Sequence, residues 1–188
     1  VVDTLGDYSI KALINTVDHL GSVRSSIKDS QSSTIRCPFT VWPGILTSHG
    51  GQDFYDISNV DGFNIPVSIR PDRGCRPTSC SANINSFCPP ELSVRGSRGN
   101  TVGCKSACLA FNKPHYCCTG EFSSGPDKCK PTDYSRIFKN ACPQAYSYAY
   151  DDASSIFTCA TGANYAITFC PANSMSFLSS VVSPYEDV

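Results

Sequence analysis

"DFYDISNVDGFNIPVSI" occupies residues 53–69. From Phe63 to Ile69 it alternates apolar and polar residues, the period of a strand with one face on a core. Pro66 falls inside that run. Proline gives no N–H to a ladder, so the strand is expected to be an edge strand or to start irregularly there. The first half holds three aspartates, Asp53, Asp56 and Asp61, among aromatic residues. Acids this close suit a metal site, proton transfer, a grip on sugar hydroxyls, or the shaping of a turn.

The rest of the chain narrows the choice. Its 188 residues suffice for one domain, or for one with a small satellite. Only 16% of them are charged and the net charge is −1, so nothing points to nucleic acid or to an acidic tail. No run of 18 apolar residues occurs, so no membrane span is expected. The 12 cysteines imply an oxidising compartment, and the 13 Gly and 13 Pro imply many turns between short strands. Zinc modules repeat CxxC or HxxxH; here no CxxC occurs and His19, His49 and His115 lie far apart. Disulfides are therefore expected. Adjacent Cys117 and Cys118 are too close for a relaxed mutual bridge and should reach two different partners.

The flanks differ in texture. Ile10, Leu13, Ile14, Val17 and Leu20 recur at helical spacing, which predicts a helix over residues 7–21 with Asp7 as cap and Gly21 as stop. Residues 25–34 are polar and Ser-rich, like a linker, and no cysteine precedes Cys37. The expected division is 1–34, a helical extension and linker, and 35–188, the main domain, with a disulfide-rich subdomain over 75–159. Thr40, Val41 and Trp42 favour a strand ended by a turn at Pro43-Gly44. Residues 164–171, "NYAITFCP", predict a further strand with Tyr165, Ile167 and Phe169 on one face. Thr132 can cap a helix that turns Ile137 and Phe138 inward and stops at Pro143. The tail after residue 171 has no clear partner, and no internal repeat is present.

Several motifs in order resemble thaumatin-like proteins, the pathogenesis-related protein 5 family of plants. They are "RCPFTVWPG", the opening stretch, "RGCRPTSC", "FCPPEL", "GCKSACLAF", "YCCTG", "CKPTDYSRIFKNACPQAYSYAYDDASSIFTC" and "NYAITFCP", over about residues 35–171. The resemblance implies a mainly β fold: an incomplete thaumatin-like β-sandwich, a disulfide-rich region of loops and short helices, and the N-terminal helical extension. It implies the pairs Cys37–Cys170, Cys75–Cys159, Cys80–Cys142, Cys88–Cys104, Cys108–Cys117 and Cys118–Cys129. It also implies an acidic cleft, linked to β-1,3-glucan of fungal walls, whose aspartates match Asp56, Asp61 and Asp151, with Asp152 as fallback for the third. The family's cleft further uses an Arg and a Glu. Both belong to a segment of several tens of residues that this chain lacks between residues 50 and 51. Losing those strands should lower stability and expose sheet edges.

The implied function is plant defence by binding cell-wall β-1,3-glucan. The alternatives are a weak endo-β-1,3-glucanase, an interaction protein acting through the N-terminal helix, and a truncated product without function. Residues 7–23 resemble a helix of plant Abl-interactor-like proteins, and an ordinary amphipathic helix explains them equally well. The family and the cysteines imply a secreted or vacuolar protein, whereas residues 1–23 show no basic start and no unbroken apolar core of a signal peptide.

No metal or cofactor is expected. A calcium loop begun at Asp56 fails, because Val60, Asp61 and Val67 stand where a ligand, a glycine and a glutamate are needed. Glycoside hydrolysis usually needs two carboxyl groups in different protonation states, and Asp56 and Asp61 could share a cleft across a bend. Without a cation, crowded carboxylates repel and one stays protonated. Turn capping by Asx-type hydrogen bonds also explains "SNVDG". Tyr148 and Tyr150, two apart beside Asp151, are expected to share a strand face and to stack on sugar rings better than Phe54, Tyr55, Phe63 or Tyr146. No GxSxG motif accompanies the histidines.

Overall fold

The computed structural model describes residues 9–13, 31–36, 44–46, 53–160 and 163–172. In chain order the strands are β1 (Ser9–Leu13), β2 (Gln31–Ile35), β3 (Gly44–Leu46), β4 (Asp53–Ile57), β5 (Gly62–Phe63), β6 (Val67–Pro71), β7 (Thr78–Cys80), β8 (Ser93–Arg95), β9 (Thr101–Lys105), β10 (Phe157–Cys159) and β11 (Tyr165–Phe169). The helices are α1 (Ala107–Phe111), α2 (Pro114–Cys117), α3 (Asp133–Ala141) and α4 (Asp152–Ser155).

Three sheets form, in the orders β10-β4-β1-β3, β2-β11-β6-β7 and β5-β9-β8. Alternation decides the second sheet. In β11, Tyr165, Ile167 and Phe169 are buried together, and in β6 so are Val67 and Ile69. Pro66 does mark an irregular start: β6 begins at the next residue. It does not make an edge, because β6 lies between β11 and β7. The carbonyl of Pro66 accepts from the Cys170 N–H at 2.9 Å.

The first two sheets face each other. Tyr55 of β4 stacks on Phe157 of β10 at 5.7 Å and tilts against Tyr165 of β11 at 5.3 Å. Rings at such separations gain about 0.5–1.5 kcal/mol beyond their buried area. Tyr165 donates to Asp53 Oδ2 at 3.0 Å, so Asp53 is a structural acceptor.

The N-terminal segment differs from expectation. Residues 9–13 form a strand where a helix over 7–21 was expected, and the other residues of that span lie outside the described ones. Helical spacing of apolar residues is a weak prior that tertiary pairing overrides. One flank of β4 is taken by β1, which pairs with it in parallel and satisfies that backbone edge. The composition change near residue 34 falls inside β2, which pairs in parallel with β11. Residues 40–43 and the tail after 172 lie outside the described residues; β3 begins at Gly44.

The helix expected at Thr132 is α3. The Thr132 hydroxyl accepts from the Ser135 N–H, and the Ser135 hydroxyl accepts from the Thr132 N–H, a reciprocal cap. Phe138 is buried and Ile137 packs against the core.

Five disulfides are described: Cys75–Cys159, Cys80–Cys142, Cys88–Cys104, Cys108–Cys117 and Cys118–Cys129. These are pairs the resemblance implies. Cys170 is also disulfide-bonded, and Cys37 lies outside the described residues. Cys118 takes a left-handed conformation, φ 53°, as it ends α2. That turn of the backbone separates the two adjacent cysteines.

Gly62 opens β5 at φ +129°, and a Cβ there would stand 2.3 Å from the Cys104 carbonyl oxygen. Gly62→Ala should therefore cost at least about 2 kcal/mol, through both the backbone angle and the clash. A thermal melt of that variant, matching wild type, would contradict the packing of β5 on β9.

Candidate functional site

The site grows from the end of β4. Tyr55, Asp56 and Ile57 are all buried there, as expected of an interior strand. Beyond β4 the chain bridges to the loop after α3, with Ser58 paired in parallel to Tyr146. The Tyr146 N–H donates to Ile57 O at 2.8 Å, and the Asn59 N–H donates to Tyr146 O at 2.8 Å. This clamp fixes Tyr146 against the aspartate-bearing strand.

The turn that follows is closed by the Gly62 N–H donating to Asn59 O at 3.0 Å and the Val60 N–H donating to Ser58 Oγ at 3.3 Å. A serine hydroxyl thus takes the capping role that Asx-type bonds were expected to fill. Asp61 is exposed on this turn, and its carbonyl accepts from the Ser106 N–H at 3.2 Å, which ties it to the start of α1.

Asp151 lies at the start of α4 and is largely engaged. Its Oδ2 accepts from the Ser147 N–H at 3.0 Å, the Ser147 hydroxyl at 2.8 Å and Lys139 Nζ at 2.9 Å. Lys139, from the last turn of α3, also donates to Ala145 O at 3.1 Å and Ser155 Oγ at 2.9 Å. The Asp151 side chain is only 12% exposed. It is a staple for the loop rather than an open ligand group. Its neighbour Asp152 is exposed and accepts from the Tyr146 hydroxyl at 2.6 Å.

Tyr146 is the junction. Its phenol is held far above the usual range, first by burial, then by the hydrogen bond and charge of Asp152, and then by the charges of Asp56 and Asp151. Burial, then Asp151 and Asp152, raise Tyr148 as well. The structure thus brings Asp56, Asp151 and Asp152 around Tyr146 and sets Asp61 at the far side of the turn. Tyr148 lies in a bend and Tyr150 in a turn, not in a strand. The Tyr150 hydroxyl donates to Ser123 O at 2.6 Å, while Tyr148 lines a small pocket with Ser106, His115, Tyr116 and Lys130.

The raised phenols set a pH dependence. A tyrosine whose folded pKa exceeds its unfolded value keeps its full contribution below about pH 10 and loses it as pH climbs toward the folded value. Tyr146 and Tyr165 are both raised, in each case first by burial and then by an aspartate hydrogen bond. The fold should lose stability above about pH 10, and Phe at both positions should flatten that limb. An alkaline limb identical in the double variant would contradict these placements.

Sequence reasoning missed Lys139 and ranked Tyr146 below Tyr148 and Tyr150. The signal for Lys139 was its place in the last turn of α3, where a cation is favoured. Among the described residues, no group of three or more His, Cys, Asp or Glu is placed to hold a metal, and no helix is long and apolar enough to cross a membrane.

A β-sandwich with this disulfide framework and an acidic junction defines a class, and comparison with known proteins gives it a family. Residues 45–171 match the thaumatin family. Thaumatin-like protein 1 of Pyrus pyrifolia is 54% identical over 166 residues, covering 83% of this chain and 68% of the relative. A protein of Prunus avium named glucan endo-1,3-beta-glucosidase is 48% identical over 166 residues, covering 83% and 67%. Pathogenesis-related protein 5 of Arabidopsis thaliana is 55% identical over 137 residues, covering 71% and 56%. The chain belongs to the thaumatin family.

Proposed function

We propose that this chain is a secreted, defence-related protein that binds β-1,3-glucan of cell walls at the surface around Tyr146. The observation that carries the reading is the Tyr146 phenol held against Asp152 and within the charge field of Asp56 and Asp151. Sugar recognition needs fixed acceptors for hydroxyl groups and an aromatic face for ring C–H groups. Asp152 supplies the first and Tyr148 the second, and Asp61 extends the acceptor row across the turn. Asp56 and Asp151 shape the site from below. The name of one relative, glucan endo-1,3-beta-glucosidase, supports a glucan, and the five described disulfides suit an extracellular compartment.

The test is co-sedimentation with insoluble β-1,3-glucan, with a β-1,4-glucan as control. Wild type should pellet with the first only, and Tyr148→Ala or Asp152→Asn should weaken binding by roughly tenfold, the loss of one charged hydrogen bond or one stacked ring. Equal pelleting with both polymers, or unchanged binding in both variants, removes the reading.

A second reading is weak endo-β-1,3-glucanase activity, favoured by the glucosidase-named relative. Hydrolysis requires one carboxyl group to donate a proton while another stays ionised. Asp151 is engaged by Lys139 at 2.9 Å, and the other carboxyl groups of the site are Asp56, Asp61 and Asp152. Release of reducing ends from laminarin by pure oxidised protein, abolished in Asp152→Asn, would establish it; no release would end it.

A further inference from the structure

The small pocket that Tyr148 lines, with Ser106, His115, Tyr116, Lys130 and Thr132 among its other walls, adjoins the surface around Tyr146. Two residues tie it there. Tyr148 is the proposed stacking residue, and the Ser106 N–H donates to Asp61 O at 3.2 Å, so the pocket borders both the Asp61 turn and the loop that carries Tyr146. It holds about 20 Å³, enough for one or two water-sized groups and far too little for a sugar ring. Its chemistry is the inverse of the acidic surface beside it, because no carboxyl group lines it. The Ser106 hydroxyl accepts from the Leu109 N–H at 3.1 Å and the Thr132 hydroxyl from the Ser135 N–H at 3.3 Å, which leaves each its own O–H to donate. Lys130 is 66% exposed and lies 3.6 Å from Asp127, so an anion would gain little from it. The rings of His115 and Tyr116, 3.9 Å apart, supply an apolar wall. The pocket thus suits a small neutral group with one carbon and one oxygen.

We infer that this pocket seats the C6 hydroxymethyl group of one glucose unit and so selects hexose chains over pentose chains. The inference rests on the glucan reading. A ring stacked on Tyr148 carries that group at its edge, beside the recess that the same side chain lines. The hydroxymethyl group is the one substituent of a glucose unit with a carbon between ring and hydroxyl, so it reaches into a recess that the ring itself cannot enter. Its oxygen accepts from Ser106 or Thr132, and its carbon packs on His115 and Tyr116.

Calorimetric titration of the full oxidised chain tests it with two ligands of equal length, a linear β-1,3-gluco-oligosaccharide and a β-1,3-xylo-oligosaccharide. The second has the same linkage and ring but no hydroxymethyl group. Wild type should bind the glucose chain roughly tenfold or more tightly than the xylose chain, as for a filled pocket left empty. Ser106→Ala should weaken the glucose chain by about fivefold, one neutral hydrogen bond, and leave the xylose chain unchanged. The wild-type comparison stands whether or not that variant keeps its fold. Equal affinity of wild type for both chains, or a folded Ser106→Ala that weakens both alike, would overturn the pocket and leave glucan binding in place. Binding of neither chain would remove the pocket and the proposed function together.

Discussion

Replacing Cys80 and Cys142 together by alanine should lower the melting temperature by roughly 8–16 °C. The bridge closes 62 residues and ties the end of β7 to the end of α3, where both cysteines are 1% exposed. In the chain-entropy view, that closure removes about 4 kcal/mol of freedom from the unfolded chain. The same bridge anchors the helix that carries Lys139, so its loss should loosen residues 145–152 as well. Full reduction should have a larger effect, since Cys75–Cys159 closes a span of 84 residues between the loop before β7 and β10. A melting curve unmoved by reducing agent would show that the sheets hold without their bridges.

Lys139→Met should be strongly destabilising, at about 2–3 kcal/mol after allowance for partial exposure. One ammonium serves Asp151, the carbonyl of Ala145 and the hydroxyl of Ser155. Removing it strands a nearly buried carboxylate and frees the loop that positions Tyr146. Adding Asp151→Asn should restore part of the stability, because the amide keeps an acceptor for Ser147 without the stranded charge. Thermal melts of the single and double variants check this. Glucan affinity should fall in Lys139→Met although Lys139 is not itself a ligand group.

What the sequence makes legible follows from local physics. The alternation of β11 and the capping box of α3 each depend on a few neighbouring residues, and both stand as expected. The split of Cys117 and Cys118 follows from bond geometry alone. The pairing of β1 is different in kind. The spacing of Ile10, Leu13 and Ile14 fits a helix, and only the flank of β4, some forty residues away, explains a strand there. Lys139 becomes a site residue, and Tyr146 the junction of the site, only once α3 and the loop after it are docked on β4. Asp151 was legible as an acid beside the site, but not as one engaged by its own lysine.

The central claim is that a β-1,3-glucan binds at the junction of β4 and the loop before α4. Chemical-shift mapping tests it most directly: a laminarin oligosaccharide is titrated into the isotope-labelled, fully oxidised protein. Saturable amide shifts should concentrate in residues 56–61 and 145–152, with Tyr148 and Asp152 among the largest. Saturable shifts confined to another face of the molecule, or none at millimolar oligosaccharide, would contradict the account.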